Sequence, residues 1–483
     1  QYQLALMYLR MRPGDAIKAF EKALVLDPDH PDAFFQIGQV HESTRKFDKA
    51  IEAYRMQLKQ APGHTLAKYR LGKLLMVSGQ PSFAVKTFQE LAISGSDVEP
   101  YAYMELAVLR LSTGQIDAAQ KLFETGISRL PEKDRQVFLD ISLVADKNEL
   151  KTYNNSPDHL KKEMAIHFWN RLDPTPLTVT NERLVEHFRR VKFARQTFSR
   201  GKFPWDDRGD VYVRLGSPDH ISRSEAINAE QDPSIRSARV RFANQLSSDR
   251  QVNFGYPTFP VREFARWEYW VYAGLNGGSE VTFVTEFGHS RYTFASLPGE
   301  KNLSQTVHFL ANLTKKTLNH RFGSNAGKTD LPIKLDWHPI DFRSAEGKSR
   351  IEINYALAAS EAAAFLEVAK PSGKIQMDRG IVIYDSLWAE VHRAKDRITF
   401  YPPGKEQILE GAFLPGSLSL DLLPGAYQMA FQLKDIVSGK SYIHRQDILL
   451  KSYSDSALEL SDIELAFVVS PTRDSGPFTK KGL

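Results

Sequence analysis

The sequence predicts a multidomain α+β protein. Its parts are an all-α solenoid over residues 1–132, a helical linker over 133–155, a central α+β domain with a small antiparallel sheet over 156–325, a β-sandwich over 330–469 and an extended tail over 470–483. Three observations lead there. The front of the chain repeats one pattern at a spacing of about 34 residues. The stretch Phe168–Asp219 concentrates Trp, Asp, Arg, Gly and Pro where helical periodicity gives way to alternation. The last third is a run of short alternating segments separated by Pro and Gly. At 483 residues the chain exceeds what one core usually serves, so several domains are the natural division.

The repeat is read from coinciding positions. Ala16, Ala50, Ala84 and Ala119 recur once per unit, each followed four residues later by an aromatic: Phe20, Tyr54, Phe88 and Phe123. Pro28, Pro62 and Pro131 close three of the four units, with Ser96 in the remaining one. Upstream, Ile37-Gly38, Leu71-Gly72 and Leu106-Ala107 share one register. A small residue lets two antiparallel helices approach, the aromatic one turn on fills the space between them, and proline ends the second helix. This pattern resembles the tetratricopeptide repeat. The first unit lacks its opening residues, so the array is expected to begin upstream of Gln1. The resemblance implies a groove lined by the first helix of each pair, here Phe35, Gln39, Tyr69, Lys73, Met76, Tyr101, Met104 and Val108. Such an apolar groove suits an extended or helical segment of a protein partner. The alternative is that the chain's own following helix, around Asp134–Leu143, fills it.

In the central stretch, Ser156-Pro157-Asp158 reads as a helix start, and the helix carries Leu160, Met164, Ile166, Phe168 and Trp169 before Asp173-Pro174-Thr175-Pro176 stops it. A second helix begins near Thr180 and places Leu184, Phe188, Val191, Phe193, Ala194 and Phe198 in a largely apolar helical pattern. Val211–Leu215 alternates and predicts a strand, closed by the turn Gly216–Asp219. The residues FWNRLDPTP, NER with RRVKFA, and WDDRGDVYVRLGSPD resemble the GWxTD domain of bacterial proteins. Trp205, Asp207, Arg208, Gly209, Gly216, Pro218 and Asp219 carry the match, while Pro204 replaces the first Gly, the Thr is absent and the spacing is one residue short. The resemblance spans about residues 150–300 and implies bacterial origin and proteins that look exported, with no activity attached.

A polar stretch at about 221–252 reads as an insertion, and Arg266–Tyr272, Val281–Glu286 and Arg291–Phe294 as an antiparallel meander joined to the 211–215 strand. Asp206, Asp207, Arg208, Asp210, Asp219, Glu268 and Arg291 are the one set of acids and arginines that convergence could turn into an acid–base or cation site. The competing reading is structural: Trp205 anchors a turn, Arg208 pairs with an acid, and Asp207 and Asp219 cap backbone amides. Exposed Trp and Arg would equally serve a partner contact.

Other chemistry finds no support. Gly323–Thr329 looks like a phosphate loop but has three residues between its glycines and no helix pattern after it. The 13 histidines form no HExxH pair, and neither a Gly-x-Ser-x-Gly elbow nor a dinucleotide fingerprint occurs. No cofactor or metal is therefore expected. With 63 basic against 58 acidic residues and no basic stretch, nucleic acid is not an expected partner. No run reaches the roughly 18 apolar residues of a membrane span. The absence of cysteine excludes disulfides, thiolate metal sites and a Cys nucleophile.

The back third offers strands at Pro332–Phe342, Arg350–Leu357, Ile375–Tyr384, Leu387–His392, Ile398–Tyr401, Gly416–Leu422, Tyr427–Lys434, Tyr442–Leu450 and Ile463–Val469. Their spacing argues for an antiparallel sandwich of immunoglobulin or fibronectin-like type, and Leu423-Pro-Gly-Ala-Tyr427 resembles a corner of extracellular bacterial sandwiches. Taken together, the expected function is a non-enzymatic scaffold or assembly subunit of a bacterial cell-envelope or extracellular complex, periplasmic or outside the cell, with protein partners or self-association. The alternatives are an enzyme or a ligand- or carbohydrate-binding module with its site near Trp205–Asp210, and a cytoplasmic repeat adaptor.

Overall fold

The computed structural model describes residues 1–9, 12–199, 203–223, 266–272, 275, 279–285, 291–294, 331, 333, 335–358, 375–400, 413–453 and 461–462. The polar stretch beyond residue 223, Gly323–Thr329, the strand expected at 463–469 and the tail at 470–483 lie outside the described residues. The chain divides into two compact units, one of residues 1–140 and 185–209, the other of residues 141–184 and 210–483. Residues 185–209, expected in the central domain, thus belong with the repeats.

In the first unit four helix pairs follow in order: α1 (Tyr2–Tyr8) with α2 (Pro13–Leu26), α3 (Ala33–Ser43) with α4 (Phe47–Gln60), α5 (Thr65–Val77) with α6 (Pro81–Leu91), and α7 (Glu99–Ser112) with α8 (Ile116–Ser128). The repeated Ala16, Ala50, Ala84 and Ala119 and the aromatics Phe20, Tyr54, Phe88 and Phe123 are all fully buried. In α3 and α5 the small residue has a specific reason. A Cβ on Gly38 would lie 2.5 Å from the Tyr54 ring, and one on Gly72 would lie 2.8 Å from the Phe88 ring. α9 (Glu132–Leu139) follows the array.

In the second unit the helices are α10 (Lys147–Asn155) and α11 (Asp158–Arg171). α11 has Pro157 at its N-cap, and Ser156 instead ends α10, its hydroxyl donating to the Thr152 carbonyl at 2.8 Å. α12 (Glu182–Phe198) runs from this unit into the first, and α13 (Asp207–Leu215) runs the other way. The strand expected at 211–215 is therefore a helix. Val211, Tyr212, Val213 and Leu215 are all buried, so the run is apolar on every side, and a short run of that kind has no period to tell strand from helix.

The first strand is instead β1 (His220–Arg223), which pairs with β2 (Arg266–Tyr272), itself paired with β3 (Ser279–Thr285) and then β4 (Thr293–Phe294) in one antiparallel sheet. The remaining strands are β5 (Leu335–Arg343), β6 (Ser349–Ala358), β7 (Ile375–Asp385), β8 (Glu390–Phe400), β9 (Phe413–Leu422), β10 (Gly425–Asp435) and β11 (Ser441–Leu450). They form two antiparallel sheets, ordered β5-β6-β9 and β11-β10-β7-β8. Two apolar clusters draw on both sheets. One joins Tyr355 and Leu357 to Met377, Phe431 and Leu433; the other joins Ile351, Ile353 and Leu420 to Ile381, Ile383, Met429 and Ile448.

The two strands expected at 387–392 and 398–401 are the single strand β8. Its charged middle, Arg393 to Arg397, resembles a break, yet it is the lateral rim of the sheet, where Lys395 and Arg397 pair across to Asp378 on β7 at 3.3 and 3.0 Å. The turn lies earlier: Asp385 Oδ1 accepts from the Leu387 and Ala389 amides, and Trp388 takes φ of 68°.

Candidate protein-interaction site

The repeat groove is occupied by the chain itself, by α12 and not by the expected helix at 134–143. Val185, Phe188, Val191 and Ala194 form the buried stripe of α12. The Phe188 ring lies 6.0 Å from Phe123 and 6.5 Å from Phe138 of α9. His187 Nε2 sits 3.1 Å from the Phe138 carbonyl oxygen. Further along, Lys192 Nζ donates to Glu105 Oε2 at 2.7 Å, and Gln196 donates to Glu105 Oε1 at 2.9 Å and to the Tyr69 hydroxyl at 3.3 Å. Tyr69 donates to Glu105 Oε1 at 2.8 Å, and Arg195 pairs with Asp134 at 2.5 Å. α9 supplies one wall and α12 the filling.

Glu105 is the electrostatic centre. It is 3 % exposed; burial alone would raise its carboxyl, but the Lys192 ammonium and the hydrogen bonds from Gln196 and Tyr69 outweigh this and hold it below its ordinary value. The same environment pushes the Tyr69 hydroxyl well above its ordinary value, first by burial and then by the Glu105 charge. Both therefore keep the protonation state that the hydrogen bonds require.

Of the eight groove positions read from the sequence, Tyr101 and Met104 line a small cleft with Leu130, Asp134, Phe138, Lys192, Arg195 and Gln196, and Tyr69 meets Gln196 directly. Phe35 packs between its own pair and the next, 4.7 Å from the ring of His64 at the start of α5, with its amide held by Gln57 Oε1 at 2.8 Å. Gln39, Lys73, Met76 and Val108 are half-buried. The repeat register does not point to Glu105, Lys192 or Gln196. Their signal was an acid in an otherwise apolar groove helix and a lysine on the apolar stripe of a later helix.

The motif stretch is internal. Trp205 is 3 % exposed, and a Cβ on Gly209 would overlap its ring, which explains a glycine there. Asp206 is fully buried and receives Arg208 through Nε at 3.1 Å and Nη2 at 2.7 Å, while its Oδ1 also accepts the Arg208 amide at 3.2 Å. The Arg208 guanidinium lies 5.0 Å from the Phe198 ring. Asp206, at the start of α13, is thus the acid that both pairs with Arg208 and accepts a backbone amide.

The other candidates are dispersed. Asp206, Asp207 and Arg208 fall in the first unit and Asp210, Asp219, Glu268 and Arg291 in the second. Within the second, Glu268 binds Arg223 at 3.2 Å and the Trp270 indole N–H at 3.1 Å; Asp210 lies near Arg214; and the Asp219 amide donates to the Val271 carbonyl at 2.8 Å. Among the described residues no group of three or more His, Asp or Glu could hold a metal ion.

Residues 5–65 match the tetratricopeptide repeat family. Tetratricopeptide repeats generally mediate protein–protein interaction, and the matched residues cover the first two helix pairs of the array, α1 to α4. No curated protein matches the chain. Among solved structures the chain is similar to the crystal structure of MamA, at 22 % identity over 26 % of this chain and 74 % of that one, with a TM-score of 0.25. It is similar to a MamA RS-1 ArsTM double mutant at 15 % identity, over 39 % and 92 % of the two chains, with a TM-score of 0.27. It is also similar to PilW, described as a widely conserved type IV pilus biogenesis factor, at 18 % identity over 39 % and 88 %, with a TM-score of 0.26. No helix among the described residues is long and apolar enough to cross a membrane.

Proposed function

We propose that the protein is a non-enzymatic scaffold that holds protein partners, or further copies of itself, in a bacterial cell-envelope or extracellular assembly. The observation that carries this reading is the groove of tetratricopeptide repeats with a helix seated in it. The array is shaped to take a helix through a buried acid, a tyrosine hydroxyl and an aromatic pocket, and α12 uses α5, α7, α8 and α9 for this. The stretch lined by α1 and α3 remains as the surface for a partner. The motif residues support the non-enzymatic reading, since the carboxylate of Asp206 and the guanidinium of Arg208 are buried on each other.

The envelope or exterior setting rests on the resemblance of residues 150–300 to GWxTD domains, and the burial of Trp205 against Gly209 fits such a motif. We read the two C-terminal sheets as one sandwich of fibronectin-like type. Three features support this: the orders β5-β6-β9 and β11-β10-β7-β8, the clusters drawn from both sheets, and the Tyr427 hydroxyl donating to the Leu423 carbonyl at 2.8 Å, as in a tyrosine corner. Native mass spectrometry of the purified full chain tests the scaffold reading. Oligomers or a co-purifying protein in defined stoichiometry are expected, and a clean monomer at micromolar concentration with no partner overturns it.

A further inference from the structure

Within the second unit, residues 172–181 lie across the face of the four-stranded sheet that points away from the shared clusters. Alternation sends Met377, Ile381 and Ile383 of β7 into those clusters and Gly380, Val382 and Tyr384 to the opposite face. That face would ordinarily meet water, yet Val382, Tyr384, Ala430 and Gln432 are at most 1 % exposed. The segment covers it through specific contacts. Leu177 occupies the space that Gly380 leaves by having no side chain, and its amide donates to Gln432 Oε1 at 3.1 Å. Arg393 of β8 donates to the Pro176 carbonyl and, at 3.1 Å, to that of Thr178. Arg445 of β11 donates to the Asp173 carbonyl, and Asn170 of α11 donates to that of Trp388 at 3.0 Å.

Inside this joint sits the Asp173 carboxyl, 6 % exposed. Its Oδ1 accepts the Thr175 amide at 2.9 Å, and the Thr175 hydroxyl donates to the Glu182 carboxylate at 2.5 Å, so two acids bracket one threonine. The arginines around Asp173 donate to groups other than its carboxyl: Arg393 to Glu390 and two backbone carbonyls, Arg445 to the Asp173 backbone carbonyl, and Arg171 to Glu149. The charged and titratable groups around Asp173 are Glu182 from α12, Arg171 from α11, Tyr384 from β7, Glu390 and Arg393 from β8, and Arg445 from β11. We propose that this joint is a proton-dependent clamp, held on the sheet while Asp173 is protonated and loosened when it ionises.

Burial pushes the Asp173 carboxyl up to about 7, with Glu182 adding to the rise and the Thr175 amide, Arg445 and Arg393 opposing it. An acid raised in the folded state favours that state below its ordinary value, and the advantage is lost as the pH rises through the folded value. The opening equilibrium therefore rises across the window between the ordinary value of 3.8 and about 7, and levels off above it. Hydrogen exchange at the Leu177 amide of the full chain, corrected for the intrinsic pH dependence of exchange, reads the opening. Between pH 6 and pH 8 the opening equilibrium is expected to rise about tenfold. The Ile383 amide serves as reference.

Asp173→Asn keeps an acceptor for Thr175 without a charge, and its Leu177 amide is expected to stay protected with no pH slope. A flat profile in the wild type, a slope that persists in Asp173→Asn, or an Ile383 amide that opens in step with Leu177 would each overturn the clamp. A carboxyl carbon titration of Asp173 by NMR needs no variant. A midpoint near 7 is expected, and one near the ordinary value of 3.8 overturns the proposal.

Discussion

The repeat groove and the outer face of the four-stranded sheet are two surfaces of kinds that proteins commonly leave open to ligands, and here the chain covers both by opposite means. The groove takes a helix, whose own backbone is satisfied, so recognition falls to side chains: Lys192 on Glu105, Gln196 on Glu105 and Tyr69, and Phe188 between Phe123 and Phe138. The sheet face takes an irregular, proline-containing segment, whose carbonyls need donors. Sheet side chains supply them, Arg393 and Arg445 donating to carbonyls, while Gln432 Oε1 accepts from the Leu177 amide. A helix is held by what its side chains offer and an irregular segment by what its backbone lacks, so the two joints should fail under different substitutions.

The groove should be the more brittle. Lys192→Ala leaves Glu105 buried without its cation, and removing one partner of a buried pair costs about 3–5 kcal/mol. Urea unfolding of the first unit should show that loss, and Glu105→Gln in the same chain should return a large part of it. If the double variant is as unstable as the single one, the charge pair is not what seats α12. The pair also sets a pH dependence of the opposite sign to that at Asp173. Because the Glu105 carboxyl is held below its ordinary value, its contribution is complete above that value and lost as the pH falls through the folded one.

At the sheet face the expected loss is smaller. Gly380→Val places a side chain where Leu177 sits, and overpacking of this kind costs about 1–3 kcal/mol. Loss of hydrogen-exchange protection should concentrate at residues 172–181, with the clusters shared between the sheets retained. A uniform loss across the unit would mean that the segment and the sheet fold as one element. At the corner of β10, Tyr427→Phe removes the bond to the Leu423 carbonyl and should cost about 1 kcal/mol in denaturant melts. No change there would weaken the fibronectin-like reading of the two sheets.

The two joints differ just as much in how far the sequence discloses them. The repeats are legible because Ala and aromatic recur at one period, and six of the seven described C-terminal strands were anticipated within a few residues because alternation survives in them. The helix 207–215 was not legible, since VYVRL is buried all round and carries no period. α12 is legible as a helix, but its destination is hidden. The match between Lys192 and Glu105 spans 87 positions, and each residue alone looks like a solvated charge. At the sheet face, Gly380 reads as a weak point in a strand until Leu177 is placed against it.

The smallest effect tests the repeat geometry on which the groove depends. In the second, third and fourth pairs the turn between helices puts the residue five positions before the repeated alanine at positive φ: Arg45 at 58°, Gly79 at 73° and Gly114 at 73°. Two of them are glycines, which adopt that conformation freely, whereas a residue with a Cβ is strained there by about 1–2 kcal/mol. Arg45→Gly relieves the strain but adds freedom to the unfolded chain, which takes back part of the gain. A net stabilisation of about 0.5 kcal/mol is expected, read as a slightly higher urea midpoint with an unchanged slope. A destabilisation would mean that the Arg45 side chain does more for the turn than its backbone costs, and the second pair would then differ in kind from the third and fourth.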